Sequence, residues 1–225
     1  MNKLKEIFNG VYEYLSDDKS TSFLLTKNLV PSTKVYDEKL LKIDNIEYRT
    51  WNPYKSKLAA AIKCNLKTFA FKNDSKVLYL GAATGTTVSH ISDICINGQI
   101  YCIEFSSYAM QSLINVCEKR HNLIPILADA RKVEDYSDIG RVDIIYQDVA
   151  QPDQVRILKL NAAKFLSNQG IAYLCLKARS VDVSKSNEEI YKQAETDLKE
   201  SFEIIEKINI SKFESDHMFY VLKFK

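Results

Sequence analysis

The first 52 residues alternate short apolar runs with turn residues, a pattern typical of β-strands. Asn9-Gly10 separates the apolar runs 4–8 and 11–15 and predicts a hairpin, because Asn-Gly accepts the positive φ angles of a type I′ turn. Further strands are predicted at residues 22–27 and 45–50, and further turns at residues 17–20 and at Pro31-Ser32. Residues 1–52 are too few for a deep core, so we expect a small β-rich region that packs on the rest of the chain.

From residue 53 onward the pattern changes to helices that alternate with apolar strands. Residues 57–71 carry apolar side chains at a helical spacing. Strands are predicted at 76–81, 100–105, 124–128, 142–148 and 171–177, helices at 108–120, 154–166 and 188–201, and a closing antiparallel pair at 202–210 and 218–224. This order predicts an α/β domain over residues 53–225, with a mostly parallel seven-stranded sheet covered on both faces and an antiparallel C-terminal strand.

Composition narrows the class of protein. No run of about 18 apolar residues is present, which excludes a membrane-spanning helix. Charged residues at the N-terminus stand where a secretory signal needs an apolar core, so an intracellular, cytoplasmic location is expected. The 5 cysteines are scattered among apolar residues without the paired spacing of zinc sites, which favours buried structural thiols over a metal site.

The net charge of +2 is low for a protein that holds RNA alone, because such binding is mainly electrostatic. Either RNA is not the substrate, or partner molecules supply most of the contacts that bind the RNA. Basic residues do cluster in two segments, but Lys63 and Lys67 are more simply interpreted as solvated surface. The segments contain Lys55, Lys57, Lys63 and Lys67, and Lys177, Arg179 and Lys185.

A candidate cofactor site follows the first strand of the α/β region. Gly81 and Gly85 allow a sharp turn and close approach to a ligand, and helix amides then point at that ligand. Glu104 ends the next strand, where such folds hold the ribose hydroxyls of an adenosine, and Phe105 is placed to stack on the purine. Asp129, after the third strand, can accept from an adenine amino group; its alternative role is a helix N-cap.

A nicotinamide dinucleotide is the natural rival for this site. Ala83 replaces a glycine that would let a pyrophosphate approach, and no second mononucleotide half follows residue 150. S-adenosylmethionine has no phosphates and tolerates the less open turn, although Tyr79 stands where many methyltransferases place an acid. The pattern therefore favours a methyl donor without excluding the dinucleotide.

Two charged residues at strand ends suggest the chemistry. Asp148 ends the fourth predicted strand and Lys177 the fifth, so both should lie at the same edge of the sheet. Methyl transfer to a hydroxyl requires alignment of the oxygen, removal of its proton and stabilisation of charge. A partly desolvated lysine beside the carboxylate is expected to have a lowered pKa and to serve as a base or an electrostatic guide. For Lys177 the alternative is a side chain that merely snorkels to the surface.

Several segments together resemble the fibrillarin family, from about Thr26 to the C-terminus. They are TKNLVP at 26–31, YRTWNP at 48–53, SKLAAA at 56–61, VLYLGAATGTTVSH at 77–90, DVAQPDQ at 148–154 and SDHM at 215–218. The resemblance implies a Rossmann-like S-adenosylmethionine-dependent methyltransferase fold. It also implies RNA 2′-O-methylation of ribosomal and transfer RNA within box C/D guide ribonucleoproteins.

The resemblance also assigns roles to residues and names partners. The implied catalytic residues are Lys57, Asp148, Lys177 and His217, of which Lys57 and His217 alone would pass for surface or strand-end residues. The implied contacts to S-adenosyl-L-methionine are Gly81, Thr86, Thr87, Glu104, Phe105, Asp129, Ala130, Asp148 and Gln151. The implied partners are a box C/D guide RNA with its target rRNA or tRNA, a Nop-domain scaffold protein and a kink-turn-binding protein of ribosomal type. Partners of this kind would explain the low net charge.

Three functional hypotheses stay open at this stage. RNA 2′-O-methylation is the first, and methylation of a protein glutamine through the same cofactor site is the second. The third is a non-catalytic scaffold with a vestigial pocket, against which the intact set of four catalytic residues argues. The absence of a Gly/Arg-rich tract makes the chain resemble archaeal rather than nucleolar members. His121 is expected at the surface, and His90 is expected only to pack within its helix.

Overall fold

A computed structural model describes residues 3–16 and 21–225. The N-terminal part forms an antiparallel sheet in the order β1-β2-β3-β5-β4. Its strands are β1 (Leu4–Phe8), β2 (Val11–Leu15), β3 (Ser22–Lys27), β4 (Leu40–Ile43) and β5 (Ile46–Trp51). The predicted β-rich region is confirmed, β4 is an additional strand, and the turn predicted at residues 17–20 lies outside the described residues.

The turns of this sheet correct one prediction. Asn9-Gly10 does join β1 to β2, but only Gly10 has a positive φ (70°), and the register shifts between Glu6 and Phe8. A type I′ turn needs positive φ at both central residues, so the predicted turn type is wrong although the hairpin is present. A β-bulge in β1, between Glu6 and Phe8, accommodates the register shift. The pair with two positive φ angles is Asp44-Asn45 (48° and 63°), which joins β4 to β5.

The α/β region is built as the alternating pattern predicted. Its helices are α1 (Lys57–Lys63), α2 (Thr86–Ile94), α3 (Ser107–Cys117), α4 (Gln154–Phe165), α5 (Ala178–Val181) and α6 (Asn187–Leu198), with a 3-10 helix at Val133–Ile139. Its strands are β6 (Lys76–Leu80), β7 (Gln99–Glu104), β8 (Leu123–Leu127), β9 (Val142–Gln147), β10 (Leu166–Lys177), β11 (Phe202–Asn209) and β12 (His217–Phe224). Strand β10 begins earlier than predicted, before a register shift between Leu166 and Ile171.

The helix predicted over residues 57–71 is too long. It ends at Lys63, and Asn65 follows with φ 74°, a left-handed conformation that terminates helices. Beyond it Leu66 and Phe71 are still buried, but on an irregular segment that packs over the sheet, where Ala70 N–H donates to Tyr173 Oη at 2.7 Å. The apolar spacing therefore predicted correctly that these side chains are buried, but the helical conformation that it predicted beyond Lys63 is wrong.

The seven strands of the second sheet lie in the order β11-β12-β10-β9-β6-β7-β8. Strands β10, β9, β6, β7 and β8 are parallel, and β12 runs antiparallel between β10 and β11. This confirms the mostly parallel sheet with an antiparallel C-terminal pair at one edge. Consecutive strand order reverses between β6 and β9, and a ligand site is expected beyond the carboxyl ends of those two strands.

Both faces of this sheet carry an apolar core, and one core extends into the N-terminal sheet. Val11, Leu24 and Trp51 belong to the same buried cluster as Val88 and Ile91 of α2. Four of the free cysteines are buried and Cys64 is half-buried, as predicted for structural thiols. No helix within the described residues is long and apolar enough to cross a membrane.

Buried polar groups also join the N-terminal sheet to α2. Arg49, fully buried, bonds Glu38 at 2.8 Å and Asp93 at 2.9 Å. His90 stacks on Trp51 and contacts Thr26 Oγ1 and Tyr36 Oη, both at 2.8 Å. Helix packing alone, the role predicted for His90, is therefore incomplete, since both ring nitrogens have polar partners outside the helix. These bonds fix the helix whose first residues form the candidate cofactor loop.

Candidate functional site

The loop between β6 and α2 lies against the end of β9 because Gly81 has no side chain. A Cβ on Gly81, whose φ is 83°, would stand 2.3 Å from the carbonyl oxygen of Asp148. The amides of Gly81 and Ala82 both donate to Ile103 O, at 2.9 and 3.1 Å. These contacts hold the ends of three strands together at one point.

Glu104 closes the loop from the next strand. Its Oε2 accepts from Ala83 N–H and its Oε1 from Ser106 N–H, both at 2.8 Å. Ala83 has φ 48°, so it adopts the left-handed conformation that glycine takes more readily. Alanine therefore takes here a backbone conformation that a glycine at this position would also adopt. Each carboxylate oxygen of Glu104 retains a lone pair for a further donor.

A cavity of about 330 Å³ opens beside this loop, a volume typical of small-molecule sites. Phe105 stands at its rim with 69% of its surface exposed, and the Oε1 atom of Gln151 is buried in its wall without a hydrogen-bond partner. The lining residues are Gly81, Ala83, Ile103, Glu104, Phe105, Ala128, Ala130, Asp148, Val149, Ala150 and Gln151. The structure thus brings together Gly81, Glu104, Phe105, Ala130, Asp148 and Gln151 of the predicted set.

Three predicted cofactor residues are not among those that line this cavity. Thr86 lines a separate groove beside α3. Thr87 is buried and donates to Ser56 Oγ at 3.0 Å, which caps α1. Asp129 is bound by Arg131, whose hydrogen bonds hold the pKa of that carboxyl below its usual value. Asp129 is not a helix N-cap either, because the following 3-10 helix is capped at Lys132.

Lys57 and Asp148 form an ion pair at the edge of the cavity. Lys57 Nζ lies 2.8 Å from Asp148 Oδ2, and about a fifth of each side chain remains exposed (20% and 23%). Lys57 is the first residue of α1, directly after the Ser56 cap that Thr87 supports. The cap therefore sets the position from which the lysine reaches the carboxylate.

The charge state of Lys57 depends on its burial and on its contact with Asp148. Burial by itself lowers the pKa of Lys57, but the charge of Asp148 and its hydrogen bond outweigh burial, so the pKa is raised above its usual value. The lowered pKa expected from the sequence concerns the lysine at the end of the fifth predicted strand, and it stays a prediction. The raised pKa favours the charged form of Lys57, which can stabilise negative charge and is unsuited to accept a proton.

Lys177 and His217 stand opposite each other at the ends of β10 and β12. The Nδ1 atom of His217 lies 2.7 Å from the carbonyl oxygen of Ser215, to which it donates as Nδ1–H. Burial is the main cause that lowers the pKa of His217 below its usual value. The Ser215 bond opposes it, the positive charge of Lys57 lowers the pKa further, and the charges of Asp148 and Glu214 raise it slightly without reversing the shift. The neutral ring therefore presents Nε2 as an acceptor.

Some features of the site were not anticipated from the sequence. Ile103 and Val149 form apolar walls of the cavity. The one feature of the sequence that indicated this is their position at the ends of predicted strands. His121, by contrast, is exposed as expected. Within the described residues, no group of three or more His, Cys, Asp or Glu side chains is placed to hold a metal ion. The site therefore combines an apolar cavity, one acidic residue for hydroxyl donors, the ion pair of Lys57 with Asp148, and the neutral imidazole of His217, with Lys177 opposite that imidazole at the strand ends.

Comparison with known proteins settles the family. The sequence model described as Fibrillarin matches residues 2–225. The chain belongs to the fibrillarin family. A fibrillarin-like rRNA/tRNA 2′-O-methyltransferase of Methanococcus maripaludis (strain C5) is 50% identical over 221 residues, 97% of this chain and 96% of the relative.

Solved fibrillarin structures share the whole fold. Aeropyrum pernix fibrillarin in complex with natively bound S-adenosyl-L-methionine has a TM-score of 0.88 and 39% identity, over 99% of this chain and 100% of that one. The fibrillarin of a fibrillarin/Nop5p complex has the same TM-score, 0.88, and 39% identity, over 98% and 100% of the two chains. The resemblance that the sequence motifs predicted is confirmed, and with it the Rossmann-like methyltransferase fold.

Proposed function

We propose that the chain transfers a methyl group from S-adenosyl-L-methionine to ribose 2′-hydroxyls of rRNA and tRNA, as the catalytic subunit of a box C/D guide ribonucleoprotein. The observation that carries this proposal is the ion pair of Lys57 with Asp148 at the edge of the cavity. Support comes from relatives about half identical to the chain that are named rRNA/tRNA 2′-O-methyltransferases.

The cavity fits the proposed cofactor by its chemistry. Glu104 offers lone pairs to the ribose hydroxyls, and Phe105 offers an exposed ring to the adenine face. The unpartnered Oε1 of Gln151 needs a donor, which the amino groups of the ligand would supply. Gly81 and Ala130 complete this set, while Thr86, Thr87 and Asp129 stay predictions. When bound, the cofactor supplies a methyl group on a positively charged sulfur.

The chain's own residues prepare the acceptor oxygen. Asp148 accepts the proton of an approaching hydroxyl, with its second oxygen held by Lys57. The charge of Lys57 stabilises the oxygen as it becomes negative, and Lys177 adds a second positive charge from the neighbouring strand. His217 offers Nε2 as a hydrogen-bond acceptor that orients the ribose. All four groups lie at the ends of packed elements, so little reorganisation is needed.

The proposed partners would supply the RNA binding and the target selection that this chain lacks. With a net charge of +2 it carries little general affinity for RNA, so a guide RNA would select the target by base pairing. A Nop-domain scaffold, as in the solved fibrillarin/Nop5p complex, would hold the enzyme, and a kink-turn-binding protein of ribosomal type would organise the RNA. A cytoplasmic location also stays a prediction.

The test is guided methyl transfer in a reconstituted complex. The enzyme, scaffold protein, kink-turn protein and box C/D RNA are mixed with a matched target RNA and labelled cofactor. Asp148→Ala and Lys177→Ala are expected to lower the rate at least about a hundredfold. Lys67→Ala, at an exposed position away from the cavity, is the matched control and should keep the wild-type rate.

Three outcomes would contradict the proposal. Undiminished activity in Asp148→Ala or Lys177→Ala would eliminate the mechanism. Label that enters protein glutamine, with none in RNA under guided conditions, would favour protein methylation instead. Calorimetry that detects no cofactor binding would revive the non-catalytic scaffold.

A further inference from the structure

The backbone of Lys177 lies at a place where the sheet ends on one side. Strand β10 pairs with β12 as far as Lys177, opposite His217, but with β9 only as far as Leu174, opposite Gln147. Ala178 N–H donates to Asp216 O on the β12 side. Because successive amides of a strand point to opposite sides, the amide of Lys177 faces the side where β9 has already ended. The N–H and C=O groups of Lys177 on that side therefore need a hydrogen-bond partner other than β9.

Gln154 takes the place of the missing strand. Its Nε2 donates to Lys177 O at 3.1 Å, and Lys177 N–H donates to its Oε1 at 3.0 Å. One side-chain amide thus satisfies both backbone groups of Lys177, as a neighbouring strand would. Gln154 is the first residue of α4 and is fully buried, where a polar side chain is costly unless it is bonded.

A second buried glutamine extends this contact to the strand that precedes Asp148. Gln147, the last residue of β9, donates from Nε2 to the carbonyl oxygen of Gln154 at 2.7 Å. The two amides therefore connect the end of β9, the first turn of α4 and the end of β10. Asp148 follows the first of these elements and Lys177 ends the last.

We infer that Gln154 is a positioning residue that holds Lys177 in place opposite His217, and that Gln147 holds Gln154. This inference rests on the proposed function, because it gives Lys177 a part in methyl transfer. Gln154 is absent from the residues that line the cavity, so it acts through the backbone of Lys177 and not on the cofactor. Loss of the amide should consequently affect the rate of transfer and leave cofactor affinity intact.

The first experiment measures kcat and the cofactor Kd of Gln154→Met in the reconstituted complex with guide and target RNA. Methionine keeps the length of the side chain and removes both hydrogen bonds. We expect kcat to fall roughly ten- to a hundredfold, since small misplacements of a catalytic group have effects of that size. Calorimetry should find the Kd for S-adenosylmethionine within about twofold of wild type, because the cavity wall is unchanged.

Asn122→Leu is the matched control for a purely structural loss. Asn122 is likewise buried and donates from Nδ2 to Ser92 O and Cys95 O, at 3.0 and 2.9 Å. It directly precedes β8, at the end of that strand opposite to the carboxyl end, and does not line the cavity. We expect it to lower Tm about as much as Gln154→Met does while keeping kcat. Equal kcat in the two variants, whether retained or reduced, would overturn the positioning role.

Amide hydrogen exchange by NMR tests the contact in the protein alone, without RNA. Lys177 N–H should exchange slowly in the wild-type chain and at least about tenfold faster in Gln154→Met. Rapid exchange of Lys177 in the wild type would refute the contact even if the variant failed to fold. If the wild-type complex does not methylate RNA, the proposed function fails and the catalytic meaning of Gln154 fails with it, whereas slow exchange of Lys177 would show that the contact itself exists. The two failures are thereby distinguishable.

Discussion

At the scale of single residues, the site depends on the missing side chain of Gly81 as much as on its charged and polar groups. Gly81 has no Cβ, and the carbonyl oxygen of Asp148 occupies the space where one would be. Any side chain at Gly81 would push the loop away from the end of β9. Gly81 therefore sets the position of Asp148 relative to Glu104, although it takes no part in proton transfer.

Gly81→Ala should therefore lose cofactor binding and stability together. We expect the free energy of unfolding to fall by at least about 2 kcal/mol, from the left-handed strain and the clash combined. Gly140→Ala is the control, because Gly140 has φ 73° but a Cβ added there would meet no atom within 4 Å. It should show only the strain of its backbone conformation (φ 73°, ψ −161°), about 1–3 kcal/mol, and bind the cofactor normally. A wild-type Kd for Gly81→Ala, measured by calorimetry, would contradict the argument.

His90 provides a second prediction at this scale. Burial lowers its pKa well below the usual value, and the charges of Arg49 and Arg120 lower it further. An unfolded histidine takes up a proton near pH 6.5, whereas folded His90 resists it, so stability present above about pH 6.5 is lost as the pH falls. The loss is at most about 1.4 kcal/mol per pH unit.

Urea denaturation of wild type and His90→Asn between pH 7 and 5 measures this effect. The variant should be less stable at pH 7 and should lose less stability on acidification than the wild type. His121→Asn, at an exposed position, is the control and should keep the wild-type slope. Parallel slopes for wild type and His90→Asn would show that His90 does not cause the acid sensitivity.

At the scale of elements, α2 connects the two sheets through buried charge. Arg49 of β5 bonds Glu38 and Asp93, and Asp93 also accepts from Arg120 at 2.7 Å. Charges so deeply buried contribute little when paired and are costly when one partner is removed. The network therefore fixes the orientation of α2, and with it the loop at Gly81, relative to the N-terminal sheet.

Arg49→Met tests the network. It leaves Glu38 without its buried cation and Asp93 with Arg120 as its one arginine partner, so we expect a loss of about 3–5 kcal/mol in the free energy of unfolding. Lys55→Met breaks the exposed pair with Asp37, 2.6 Å apart in the same region, and is expected to have little effect. Chemical denaturation gives both values. Similar stabilities for the two variants would mean that burial of the network does not matter.

At the scale of the whole molecule, the two sheets share one core. Trp51, the single tryptophan of the chain, is 1% exposed and stacks on His90 at the junction. A small sheet with few buried residues of its own is marginal in isolation. The division at residue 52 stays a prediction, and the shared core favours two regions that unfold together.

Tryptophan fluorescence and far-UV circular dichroism should therefore report the same unfolding transition. Fluorescence follows the junction at Trp51, and circular dichroism follows the helices and the large sheet. In urea we expect the two midpoints to coincide, as in a two-state protein. A fluorescence change that precedes the loss of helix would reveal an N-terminal region that separates first.

The sequence by itself determined the class of fold and most of the cavity. Alternating apolar strands and helices give a parallel sheet, because strands buried on both faces must be apolar throughout. Strand ends then place Gly81, Glu104 and Asp148 at one edge, whatever the details of packing. Lys57 and His217 were reached only through family motifs, since neither position stands out in the apolar pattern.

Only the tertiary structure decided what depends on distant contacts. The charged state of Lys57 comes from Asp148, 91 positions away, and no local pattern encodes that distance. The premature end of α1 depends on Asn65, and the role of Gln154 depends on where β9 stops. Local sequence specifies which segments are strands and helices, whereas pKa values, strand ends and buried hydrogen bonds depend on groups that folding brings together.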